Sequence, residues 1–316
     1  TGQQIRRYLL LRQESVNQMS FTAWLDRARM QLSLYGIRRG SMAEGRSLWS
    51  GIAHRLSAIN AQEGTPVYDK EWELLILLDA CRVDALEAVA SEYEFLPETV
   101  PSLRSVAPNS HLWLERTFQP TYHEAISGTA YITANGHADG FADGKFAVGD
   151  EAFYSIEKVY NYGFDDDVET IPPRAVTDAT IHTLRNTTPP RAIAHYMQPH
   201  CPFVADGEPR SKKDAEQWGD HVSDIWHQLE DGAVNRQAVW SGYQDNLRLV
   251  LDDIEILLNN IEYSSVVISS DHGNALGEWK LYGHPAHMPF GCLRNVPYTK
   301  TSANDFRSHS TSEYSR

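Results

Sequence analysis

Two aliphatic runs in this chain stop at an aspartate. Leu74-Leu-Ile-Leu-Leu78 runs into Asp79, and Val266-Val-Ile-Ser-Ser270 runs into Asp271-His272-Gly273. Apolar runs of this length, bounded by polar residues, predict strands buried on both faces. Residues 130–133 and 191–197 predict two more strands. Helical spacing of apolar positions predicts a helix over 82–91, with Val83, Leu86 and Ala90 on one face. A second is expected near 176–184, after Pro172-Pro173. A third spans 237–260, with Tyr243, Leu247, Val250, Leu251, Ile254, Leu257 and Leu258 along its stripe. Residues 105–118 pass from a loop into a helix. Strands alternating with helices predict an α/β fold: a mostly parallel central sheet with helices on both faces.

The same patterning divides the chain. Residues 1–65 carry a looser amphipathic pattern, including Phe21, Trp24, Leu25, Leu48, Trp49 and Ile52, and predict a helical N-terminal extension that packs as an appendage. Residues 66–298 form the α/β domain. Within it, residues 135–170 are rich in Gly, Asp and Asn and read as a loop-heavy insertion; residues 204–233 are polar. Residues 299–316 are rich in Ser and Thr and read as a disordered tail.

Charge narrows the choice of partner. The chain has 42 acidic and 28 basic residues, a formal charge of −14, which disfavours nucleic acid and suits a halophilic source. No stretch approaches the ~20 apolar residues of a membrane span. Tyr8-Leu-Leu-Leu11 is too short for a signal-peptide core, so a cytoplasmic location is expected, with cell-envelope association as the alternative. Cys81, Cys201 and Cys292 form no CxxC pair, which argues against a disulfide or zinc framework, and Cys81 and Cys201, each beside a candidate site, read as space-filling groups.

Candidate chemistry lies where the strands end. In an open α/β sheet, ligands bind outside the carboxyl ends of the strands. Asp79, Asp271 and His272 therefore bring two carboxylates and an imidazole to one edge, a ligand set for a divalent cation. The plainer alternatives are an Asp79–Arg82 salt bridge and a solvated turn at Asp271, with Asp84 capping its helix or facing water.

Three segments together resemble the alkaline phosphatase/sulfatase superfamily, in the form of a sulfatase-like group common in haloarchaea. They are Leu77-Leu-Asp79-Ala-Cys-Arg-Val-Asp-Ala-Leu86, Ala194-His-Tyr-Met-Gln-Pro-His200-Cys-Pro-Phe203 and Ile268-Ser-Ser-Asp271-His-Gly-Asn-Ala-Leu-Gly-Glu278. The resemblance runs from about Trp72 to about Pro297 in the family's order. It implies a metal-dependent hydrolase of phosphate or sulfate esters, using one or two divalent ions (Zn, Mn, Mg or Ca).

The resemblance also implies roles. A hydroxyl nucleophile should open the helix after the first strand. Ser110 fits that place; Ser105 is the alternative, and Ser110 also reads as a simple N-cap. The Cys-x-Pro-x-Arg pattern of oxidised-Cys sulfatases is absent, which favours phosphoester chemistry through a phospho-Ser intermediate. Asp79, Ser110, Asp271 and His272 would hold one ion. His200 and His284 would hold substrate oxygens, protonate the leaving group or complete a second metal site. His287 competes with His284 for that place. Gln198 stands where the family carries an Asp, and His195 reads as a packed, hydrogen-bonded histidine. The expected substrate is a small-molecule, glycan-linked or lipid-linked phosphate or sulfate ester. The rival readings are a phosphoryl-group transferase acting on surface glycan or lipid, and a degenerate, non-catalytic binding module.

Overall fold

The computed structural model describes residues 64–204, 225–286 and 288–311. The expected helices of the N-terminal extension, residues 205–224, His287 and residues 312–316 lie outside the described residues.

Nine strands appear among the described residues. They are β1 (Leu74–Asp79), β2 (Ser102–Arg104), β3 (Thr129–Thr133), β4 (Ser155–Lys158), β5 (Arg191–Pro199), β6 (Tyr263–Ser269), β7 (Ala275–Leu276), β8 (Tyr282–Gly283) and β9 (Asn295–Ala303). Seven form one sheet in the order β2-β9-β6-β1-β5-β3-β4. The run β6-β1-β5-β3-β4 is parallel; β9 pairs antiparallel with β6, and β2 antiparallel with β9. β7 and β8 make a separate hairpin.

Helices cover both faces, as the alternation predicts. The longer ones are α1 (Val83–Val89), α2 (Ser110–Thr117), α3 (Pro173–Asn186), α4 (Ile225–Glu230) and α5 (Arg236–Leu258). Side chains of a strand point alternately to opposite faces. Leu74, Ile76 and Leu78 accordingly enter the core built with α1, α3 and α5. Leu75 and Leu77 enter the other core, with Tyr131, Ile193, Val267 and the Trp113 and Leu114 side chains of α2. Every residue of β1 is buried, and full burial of each leucine contributes roughly 1.5–3 kcal/mol.

Local signals set the helix starts. Pro173 occupies the first turn of α3, where its missing N–H costs nothing. Asn235 caps α5 by accepting from the Ala238 N–H at 2.7 Å. Asn109 does the same for α2, accepting from the Leu112 N–H at 3.0 Å. Ser110 is therefore not the cap but the first residue inside α2.

Two expectations need correction. The 135–170 insertion contains β4, which extends the sheet at its edge by pairing with β3. Residues 299–303, assigned to a disordered tail, belong to β9 and pair with Val266–Ser269 of β6 through Thr301–Tyr298. The Ser/Thr content of β9 misled the reading because this strand is only half-buried, where β-branched and hydroxyl side chains are at home. Removing residues 295–316 should leave the β6 edge unpaired and give an aggregating chain without a cooperative melt. Removing 304–316 should keep the melt. A sharp thermal transition in the shorter protein, followed by circular dichroism, would contradict this placement of β9.

Candidate metal centre

The strand alternation that builds the second core also builds the site. Leu75 and Leu77 of β1 lead to Asp79; Val267 of β6 leads to Asp271; Tyr131 of β3 leads to Asn135; Ile193 of β5 leads to His195. Steps of two keep side chains on one face, so all four polar groups emerge on the α2 side of the sheet's carboxyl edge. Ser110, in the first turn of α2, faces them.

The geometry is close. Ser110 Oγ lies 3.1 Å from His272 Nε2 and 3.4 Å from Asp79 Oδ2. His272 Nε2 lies 3.4 Å from Asp79 Oδ1 and 3.4 Å from Asp271 Oδ2. Asn135 donates its amide to Asp79 Oδ2 at 3.1 Å. Asp271 Oδ1 is occupied by the backbone N–H groups of Ala80 (3.1 Å) and His272 (2.8 Å). Three atoms remain without a hydrogen-bond partner: Asp79 Oδ1, Asp271 Oδ2 and His195 Nε2. Their residues are 3%, 0% and 0% exposed, so water does not relieve them. One ligand atom from each of these three residues lies within 4.8 Å of the others. Buried carboxylate oxygens left so close together are costly unless a cation joins them, so these residues fit a divalent metal.

The imidazoles are prepared for the same role. His272 Nδ1 donates to the Gly273 carbonyl at 2.7 Å, which leaves the Nε2 lone pair directed at the carboxylates and Ser110. His195 Nδ1 pairs with the Tyr131 hydroxyl at 2.8 Å, and its Nε2 lies 3.9 Å from Asp271 Oδ2. Burial pushes the His195 imidazolium down, so this ring is neutral. At His272 burial acts in the same direction, but the Asp271 and Asp79 carboxylates outweigh it and lift the group to about 9. At Asp79 burial would raise the carboxyl, yet the close His272 imidazole, with His200 and His195 nearby, holds it below its ordinary value. Without metal, a proton on His272 stands in for the cation.

The turns that carry these ligands are pinned. Ala80 sits at φ 62°, a conformation unfavourable for a residue with Cβ. It is held there by its N–H to Asp271 and by the Tyr243 hydroxyl, which donates to its carbonyl at 2.6 Å. The Cys81 N–H donates to Ser270 Oγ at 2.9 Å. Gly273 has an ordinary φ; its reason is close approach, since a Cβ would meet the Cys292 carbonyl at 2.2 Å. Arg82 does not pair with Asp79. It binds Asp84 (2.6 Å) and Glu278 (2.9 Å) and donates to the Asn274 carbonyl at 2.9 Å, clamping the loop after His272 against α1. Asp84 is thereby a partner of Arg82 rather than a free surface acid.

The remaining sequence candidates separate. His200 Nε2 lies 3.0 Å from His284 Nε2, and the His284 ring is 4.7 Å from that of His272, so this pair adjoins the proposed ligands. Ser105 is not placed to attack: its hydroxyl donates to the Asp271 carbonyl and accepts from the Ala107 N–H at 3.2 Å. Gln198 turns away and donates to the Ile171 carbonyl at 3.0 Å. His287 lies outside the described residues. Cys81 and Cys201 are buried and unpaired by disulfide, as space-filling groups should be. His195 is packed and hydrogen-bonded as expected, but its second nitrogen, Nε2, lies among the carboxylates, and neither that nor Asn135 as the partner of Asp79 was expected from the sequence. The signal for both was a polar residue at a core-facing step of an apolar strand.

No family model matches the chain, and no curated protein matches it. Solved structures do. The soluble domain of lipooligosaccharide phosphoethanolamine transferase A from Neisseria meningitidis aligns at 15% identity over 75% of this chain and 77% of that one, with a TM-score of 0.48. The integral membrane protein EptA from the same organism aligns at 13% identity over 91% of this chain and a TM-score of 0.49, and this chain spans 62% of its length. The C-terminal periplasmic domain of phosphoethanolamine transferase EptC from Campylobacter jejuni aligns at 16% identity over 74% of this chain and 79% of that one, at 0.46. All three scores lie below 0.5, a likeness from which no shared chemistry follows.

Two outcomes are expected at this centre. Metal must displace the proton on His272 Nε2, so affinity for Zn²⁺ or Mn²⁺ should climb with pH up to about 9, by about tenfold per unit for one released proton. Titration calorimetry across pH checks this, and a flat profile would mean His272 is not a ligand. Asp271→Ala should abolish binding of the same ions and erase the rise in melting temperature they give the parent protein. An unchanged metal-dependent Tm shift in the variant would remove Asp271 from the ligand set.

Proposed function

We propose that this chain is a member of the alkaline phosphatase/sulfatase superfamily and a metal-dependent phosphoester hydrolase with Ser110 as nucleophile. One observation carries the reading: two buried carboxylate oxygens without partners converge with His195 and His272 beside a hydroxyl at a helix start. The order of the three motifs along the chain supports it.

Asp79, Asp271 and His272, with His195 and the Ser110 oxygen, would hold a divalent ion. That ion, when bound, lowers the pKa of a coordinated hydroxyl and offsets charge on the phosphoryl oxygens. Ser110 Oγ directs its hydrogen towards Asp79 Oδ2, so the proton lost on attack has an acceptor at 3.4 Å. The N-terminal end of α2 adds a positive field at the same oxygen. Asn135 keeps Asp79 Oδ2 oriented throughout. His200 Nδ1 is committed to the Cys201 carbonyl at 2.7 Å, which fixes its ring and leaves Nε2 facing His284. A proton shared by this pair can pass to the departing alkoxide, and the same pair can then take one from the water that cleaves the phospho-Ser.

Sulfate chemistry by an oxidised cysteine finds no support: the Cys-x-Pro-x-Arg pattern is absent, and Cys81, next to Asp79 in sequence, is fully buried, which raises its thiol pKa. Transfer to an acceptor hydroxyl uses the same residues as hydrolysis; products formed with and without an added acceptor separate the two. Ser110→Ala should lower kcat on aryl phosphates by at least about a thousandfold, with bound metal retained by the other ligands. Acid quenching of the parent protein during turnover should trap phosphate on Ser110. Undiminished turnover in the variant would refute a serine nucleophile and leave attack by water.

A further inference from the structure

An unpaired cation stands at the opposite edge of the sheet from the candidate metal centre. Arg191 opens β5 and shares a strand face with Ile193 and His195, the latter about 13 Å further along. Its guanidinium lies over the Trp72 ring, 5.0 Å from the centroid, and Trp72 is fixed by its Nε1–H, which donates to the Val67 carbonyl at 2.9 Å. The Arg191 backbone N–H donates to the Gly128 carbonyl at 3.0 Å. Yet among the described residues the guanidinium makes no hydrogen bond and no ion pair, and its Nη1 is buried without a partner. A ring face attracts the cation but leaves the in-plane N–H donors unmet, and a buried donor in that state is costly.

Arg191 borders a cavity of about 750 Å³, walled also by Tyr122, Glu124, Ser127, Tyr154 and Pro190. That volume suits a small organic molecule rather than a bare ion. Tyr154 is 43% exposed, and its hydroxyl has no protein partner among the described residues. Glu124, the one acid of this wall, is exposed and makes no ion pair with Arg191. Ser127 spends its hydroxyl on the Glu124 carbonyl at 2.9 Å, so the cavity is built to bind rather than to react. We propose that it binds a small organic anion whose carboxylate or phosphate head is gripped by Arg191 and whose body lies against Tyr122, Tyr154 and Pro190. The planar guanidinium matches such oxyanions through paired N–H donors, and stacking on Trp72 holds it ready.

Titration calorimetry on the full chain tests the site, with benzoate and phenylphosphonate as probes and benzyl alcohol as their neutral counterpart. At least one anion should bind tenfold or more tightly than benzyl alcohol, roughly the gain of charge-assisted hydrogen bonds. The tighter of the two anions names the head group. Arg191→Gln should remove this binding and leave the circular dichroism spectrum unchanged. Ser127→Trp, at an exposed wall position, fills the cavity without altering Arg191 and should block the same anion. Anions that bind no better than benzyl alcohol, or isotherms identical in the parent and either variant, overturn the site.

Discussion

Two like charges forced together out of water govern this structure. Asp79 Oδ1 and Asp271 Oδ2 each lie 3.4 Å from the same imidazole nitrogen, and neither has a hydrogen bond. Buried carboxylates in that state repel, and proteins tolerate them only with a cation between. In the metal-free chain the His272 proton serves; a divalent ion would serve better. The parallel sheet, the turn at Ala80 and the clamp at Arg82 all act to keep those two acids where they would otherwise separate. Stability has been spent on geometry here, which is the usual mark of a site that binds or reacts.

The supports are graded by how they act. Backbone N–H groups from Ala80 and His272 fill one oxygen of Asp271 and so aim the other at the centre. Asn135 and Ser110 do the same for Asp79, through side chains. Further out, Tyr243 on α5 accepts the Arg82 N–H at 3.0 Å and holds the Ala80 carbonyl, so the longest helix braces the turn after β1. Ser105 joins the Asp271 loop to the segment leading into α2, and Arg294 donates to its carbonyl at 2.6 Å. A residue that resembled an alternative nucleophile is thereby part of the frame.

Much of the fold was legible because its strands are buried on both faces. Leu74–Leu78, Arg191–Met197 and Val266–Ile268 could hardly be anything but strands of a parallel sheet, and the α5 stripe was unambiguous. Asp79, Asp271 and His272 were legible as groups ending such runs. His195 was not, because a histidine inside a strand is ordinarily satisfied by packing; only the neighbouring strand's register, Leu77 beside His195, shows where its free nitrogen points. Asn135 and β4 lay in a stretch whose Gly and Asp content masked them. β9 was missed because hydroxyl-rich sequence resembles a flexible end until a partner strand is known.

The position of β9 has a consequence for how the chain matures. Asp79 is separated from Asp271 by nearly the whole domain, and Ala80 lies 191 positions before the carboxylate it contacts. Parallel pairings so distant in sequence form slowly. As the polypeptide leaves the ribosome, β1 must wait for β6, and β6 remains an open edge until β9 emerges and covers it. Assembly of the proposed ligand set is therefore a terminal event of biogenesis, and a nascent chain halted shortly before Asn295 would carry every proposed ligand yet expose the hydrogen-bonding edge most prone to misassembly.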